Sequence, residues 1–145
     1  MLKDTILKTL KYFPGLWSFE RSISNPVLHT KGVATFEELS EGALSYHEYG
    51  TYTIDQVAYD FFQKRFFSYD MSTLCIYKND HSLLHRFDFK DNHMSYPITL
   101  NHTHLCGLDT YDCALILKSD RTFDFNYKIN GKNKDYEIQT TYTKD

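Results

Sequence analysis

The sequence predicts a mainly β protein, an antiparallel meander closed into a barrel of eight to ten strands with a short N-terminal helix. Three observations carry this expectation. Tyr (12) and Phe (11) are abundant beside only 6 Gly and 3 Pro, the composition of strands with aromatic faces rather than of a disordered chain. From residue 16 onward the apolar period is two, in nine successive runs. The links between most runs are short and turn-like, so neighbours should pair as hairpins. Closing such a meander removes its exposed edges, and a barrel of this strand number is wide enough for one small ligand. An open sandwich is the alternative. With 145 residues and no repeat, linker or low-complexity tract, residues 1–145 are expected to form one domain.

The helix comes first. Leu2, Ile6, Leu7 and Leu10 recur at helical spacing, Asp4 can serve as N-cap, and Pro14 with Gly15 stops the run. Its apolar stripe is expected to plug or cover the barrel rather than to bind a partner. The first strand, 16–23, sets Trp17, Phe19, Arg21 and Ile23 on one side. Further strands follow at 32–39, 43–54, 57–70, 72–79, 83–89, 110–117, 122–129 and 135–143, with turns at 40–42, 79–81, 119–121 and 130–134. Residues 90–108 are the exception, a mixed segment too long for a simple turn.

Net charge is -3 with both signs interspersed, so no footprint for nucleic acid or an anionic membrane is visible. Lysines at positions 3, 8 and 11 interrupt the first apolar run, which excludes a signal peptide or a membrane span there. Cys75, Cys106 and Cys113 cannot all pair within the chain and form no C-x-x-C, which points to free thiols and a cytoplasmic setting.

The alternating sets place a polar minority on the inner face: Arg21, Tyr46, Glu48, His85 between Leu83 and Phe87, and Tyr136 beside Ile138. A buried charge is costly unless paired, so Arg21 is expected to meet Glu48 two strands away. That pair either fixes barrel registry or anchors an anionic ligand on the guanidinium fork. His85 is either a satisfied core residue or a ligand-binding or proton-transfer group.

The segment 102–109, HTHLCGLD, is the densest chemical motif. In an extended strand His102, His104 and Cys106 share one face at roughly 6–7 Å spacing, which permits zinc. Against that, the pattern is short and no second ligand pair stands at finger spacing. A Cys106 nucleophile activated by His104 is a further option, although neighbours on one strand face sit side by side. The plainer account has Gly107 making a bend, Cys106 packing as a small apolar residue and Asp109 capping the turn.

Taken in order over nearly the whole chain, GLWSFERSI, GVATF, LSYHEYG, LLHRFDF, HLCGLDTY and NGKNKDYEIQTTY resemble the family catalogued as domain of unknown function 6314. The matching positions are Gly15, Trp17 and Arg21; Tyr46, Glu48 and Gly50; His85; His104, Cys106, Asp109 and Tyr111; and Gly131, Lys134, Asp135 and Tyr136. Leu84 replaces an aromatic residue, and Lys132 with Asn133 replaces a proline-containing turn. The resemblance implies a small barrel similar to the calycins and lipocalins, with no established activity.

The expected function is binding of a small anionic or amphipathic molecule, with Arg21, Tyr46, Glu48, His85, His104, Asp109, Tyr111, Lys134 and Tyr136 as the candidate ligand-binding set. Arg21 or Lys134 would meet the negative group. The alternatives are a hydrolase or isomerase using His85 or His104 with Glu48 or Asp109 as acid and base, and haem or metal binding by a histidine. Oligomeric state is not encoded in any of these features.

Overall fold

The computed structural model describes residues 4–25, 27–89 and 95–145, with Asp4 and Thr5 described by backbone alone. Leu2 and the Asp4 side chain, expected in the helix stripe and its cap, lie outside the described residues. The chain runs through α1 (Asp4–Lys11), β1 (Gly15–Ser24), β2 (Val27–Ser40), β3 (Ala43–Ile54), β4 (Val57–Tyr69), β5 (Thr73–Lys78), β6 (Leu83–Asp88), β7 (Ile98–Cys106), β8 (Asp109–Leu117), β9 (Thr122–Gly131) and β10 (Lys134–Lys144).

All ten strands form one antiparallel sheet in the order β6-β5-β4-β3-β2-β1-β10-β9-β8-β7, so the N- and C-terminal strands meet in the middle. The barrel is nearly closed. Its seam lies between β6 and β7, which are not joined by a backbone ladder. The expected nine strands become ten because residues 98–106 form β7, paired with β8 from Ile98↔Leu117 to Cys106↔Asp109. Its inward side alternates Ile98, Leu100, His102 and His104; two histidines among four inward positions obscured the strand in the sequence.

One end of the barrel is plugged. Ile6 and Leu10 of α1 are fully buried, as the helical spacing predicted, and Phe13 follows them into the core. Phe13 stacks on Phe123 with ring centroids 4.9 Å apart, and Phe36 meets Phe67 at 5.0 Å. The Trp17 indole N–H donates to the Phe13 carbonyl at 2.8 Å, fixing the chain between helix and first strand.

The other end is open, ringed by the β3–β4, β7–β8 and β9–β10 turns. Asp55 and Gln56 both adopt positive φ (51° and 67°), giving a tight hairpin that matches the twist of β3 and β4. Gly107, at φ 64°, starts the two-residue link between β7 and β8. On the barrel wall Gly32 and Gly50 pair across β2 and β3, and Phe19 and Phe61 cover them from the flanking strands at 6.3 Å.

Two orientation expectations need correction. A register shift between Ile76 and Tyr77 leaves Leu84 unpaired opposite β5, which turns Leu83 outward and half-exposed while His85 and Phe87 stay inside. Cys106 does not pack as a small apolar residue. It sits exposed at the hairpin end.

Candidate functional site

Above the plugged end lies a cavity of about 380 Å³, walled by aromatic and aliphatic side chains from nine of the ten strands. Its polar floor begins with Arg21. The parity of β1 turns Arg21 inward beside Phe19, and the parity of β3 turns Tyr46 and Glu48 toward it. Arg21 Nη1 and Nη2 each donate to a Glu48 carboxylate oxygen at 2.7 Å, a bidentate pair, and Nε donates to Thr140 Oγ1 at 2.8 Å. The Tyr46 hydroxyl donates to Glu48 Oε1 at 2.5 Å and lies 2.9 Å from the Tyr142 hydroxyl.

The electrostatics follow from burial and pairing. Burial opposes the Arg21 charge, but the hydrogen bond to Glu48 and the field of that carboxylate outweigh it, so the guanidinium is held more firmly protonated than usual. Burial, with Tyr142 and Glu48 nearby, pushes the Tyr46 hydroxyl well above the ordinary phenol range. Burial raises Tyr142 as well. Both phenols remain neutral donors at physiological pH.

A second group spans the seam. His85 is fully buried, with Nε2 at 2.6 Å from the Tyr127 hydroxyl and Nδ1 at 3.2 Å from Nδ1 of His102. Burial lowers the His85 pKa to about 3, helped by His102, His104 and Arg65. Tyr127 is raised, chiefly by burial. The consistent proton arrangement has Tyr127 donating to His85 Nε2 and neutral His85 donating from Nδ1 to His102. His104 lies one step along β7, its ring 6.3 Å from His85 and 6.1 Å from Tyr111.

A third group stands at the mouth. Lys134 Nζ lies 3.0 Å from Asp109 Oδ2 and donates to the Tyr111 hydroxyl at 3.1 Å. The bonds to Tyr111 and Asp109 raise the Lys134 pKa. Asp109 therefore closes an ion pair across β8 and β10, where the sequence suggested a turn cap.

Arg21, Tyr46, Glu48, Tyr111 and Tyr136 line the cavity. His85 and His104 stand behind its wall, with Tyr127 between His85 and the space. The two cations expected to meet an anion are both already ion-paired, Arg21 with Glu48 and Lys134 with Asp109. Neither His85 nor His104 hydrogen-bonds a carboxylate among the described residues. No group of three or more His, Cys, Asp or Glu among the described residues is arranged to hold a metal ion.

Sequence reasoning missed Gln63, Arg65, Tyr127 and Thr140 as lining residues. Extending the inward parity of Phe67 two and four residues back along β4 reaches Arg65 and Gln63. The paired aromatics at Phe61–Phe62 and Phe66–Phe67 hid that parity, because one member of each pair faces outward.

The sequence profile of a family of unknown function (DUF6314) matches residues 13–144. No curated protein matches the chain by sequence. Among solved structures, the S-type phycobiliprotein lyase CPES from Guillardia theta is similar with a TM-score of 0.61 at 7% identity, covering 97% of this chain and 93% of that one. The structure of EF1p2_mFAP2b bound to DFHBI gives 0.54 at 12% identity over 94% and 97% of the two chains. A fluorescence-activating β-barrel designed de novo gives 0.52 at 11% identity over 100% of both. At such identities the likeness shows the fold, a β-barrel. No described helix is long and apolar enough to cross a membrane.

Proposed function

The chain belongs to the DUF6314 family of unknown function, and on that premise we propose that it is a binding barrel for one small amphipathic molecule. The observation that carries this reading is the cavity itself: about 380 Å³ of space over a polar floor, within aromatic and aliphatic walls, open at one end. A core that needed only stability would fill such a space, since interiors are close-packed. The Arg21, Glu48, Tyr46 and Tyr142 network satisfies itself, so it shapes a rigid floor without demanding a ligand. Tyr111 and Tyr136 supply amphipathic wall surface nearer the mouth, and the ion pair of Lys134 with Asp109 frames the entrance. The likeness to a barrel solved with DFHBI supports the reading at the level of fold. Cys75, Cys106 and Cys113 are free thiols, which suits a reducing compartment such as the cytoplasm.

Native mass spectrometry of gently purified protein tests the proposal. A retained organic mass of a few hundred daltons, lost on denaturation, is expected, because a cavity of this size encloses a molecule of that order. Protein that carries no added mass and admits neither charged nor neutral apolar probes would end the binding reading.

A further inference from the structure

We infer that the cavity takes a monoanion, charged group first, and that Arg65 receives the charge. The inference rests on the binding reading above and adds the anchor, the charge of the ligand and its orientation. Arg65 faces inward from β4 and lines the cavity beside Tyr46, its cross-strand partner on β3. Its Nη1 donates to the Lys64 carbonyl at 3.1 Å. With the Gln63 amide oriented to suit both neighbours, Gln63 donates to Glu48 Oε2 at 3.3 Å and accepts from Arg65 Nη2. Both acceptors of Arg65 are neutral, and among the described residues no carboxylate pairs with it.

Charge balance then decides which cation is available. The charged side chains lining the space are Arg21, Glu48 and Arg65. Glu48 is committed to Arg21 through both oxygens, so among the described residues one positive charge, that of Arg65, is left uncompensated in a largely apolar enclosure. Its field reaches across the cavity. After burial and the neighbouring histidines it further disfavours a charged His85, and it partly offsets the burial that raises Tyr127. A half-buried guanidinium with unspent donors, at the wall of a mostly apolar cavity, favours a carboxylate, sulfonate or phosphate monoester carrying one negative charge. A second negative charge would have no partner.

The orientation follows from what lies on either side of this level. Toward α1 the rings of Phe36, Phe67 and Phe123 close-pack against Phe13. Toward the open end the lining carries Ile138 and Ile129, nearer than Thr140 to the β9–β10 turn, with the rings of Tyr136 and Tyr111 beside them. Beyond it the rim carries the exposed Ile54, Val57, Leu105 and Leu108. The charged group therefore lies inside and the apolar body points toward the mouth.

Two fluorescent probes separate the possibilities: anilinonaphthalene sulfonate, a monoanion, and phenylnaphthylamine, the same ring system without the charge. The protein should bind the anion more tightly, and Arg65→Gln should weaken the anion by roughly tenfold to a hundredfold while leaving the neutral probe unchanged. If Arg65→Gln binds both probes as the parent does, the Arg65 assignment falls while the binding barrel stands. If the parent binds neither probe, the binding reading itself fails. Should Arg65→Gln lose both probes, Arg65→Lys decides. Recovery of the anion preference supports the anchor, whereas recovery of the neutral probe alone, or of neither, overturns it. Displacement of the probe by linear alkyl carboxylates reads the orientation: affinity that levels off with chain length fits a tail emerging at the mouth, and a sharp loss beyond a given length overturns it.

Discussion

Arg21 and Glu48 face each other across β2, joined by two hydrogen bonds of 2.7 Å, with the carboxylate side chain only 1% exposed. Removing one partner leaves the other charge buried without compensation. Glu48→Leu or Arg21→Leu alone is therefore expected to cost about 3–5 kcal/mol in urea denaturation, whereas the double substitution should recover most of that loss. Additive losses in the double variant would show that the two residues act independently.

His85 makes stability depend on acid. Its folded pKa, about 3, lies below the ordinary histidine value of 6.5, so between those values the unfolded chain binds the extra proton and the folded one does not. The His85 contribution is thus complete above pH 6.5 and is lost as pH falls toward 3, at up to roughly 1.4 kcal/mol per pH unit. Unfolding followed by urea at several pH values should show this slope. His85→Phe should flatten it, and an unchanged slope would assign the acid sensitivity elsewhere.

The plug predicts where stability is concentrated. Leu10 is fully buried under the barrel end, so Leu10→Ala should cost about 2–5 kcal/mol, the range for a cavity left in a packed core. A loss below about 1 kcal/mol would mean that the helix is only loosely docked.

Gly32 tests the close approach of β2 and β3. A Cβ there would meet the Gly50 Cα at 2.6 Å and the Phe19 ring at 2.9 Å, and the nearest obstacle is the backbone oxygen of Tyr49. Backbone cannot step aside as a side-chain tip can. Gly32→Ala is expected to lower the urea midpoint by the equivalent of at least about 1–3 kcal/mol, and a neutral result would show that the strands can separate there.

The pattern of alternation alone was enough for the barrel, the plug helix, the inward parity of β1, β3 and β10, and the meeting of Arg21 with Glu48. These are consequences of local periodicity and of the cost of an unpaired buried charge, which act within a strand or between near neighbours. Three things required the tertiary structure. The mixed segment proved to hold β7, because pairing with β8 outweighs the weak apolar signal of a strand carrying two inward histidines. The bulge at Leu84 reversed Leu83, a choice made by register against β5 and invisible in β6 itself. The third is how the two arginines of the cavity are partnered: Glu48 takes Arg21, and among the described residues no carboxylate pairs with Arg65, a partition that only the packing of distant strands around one cavity decides.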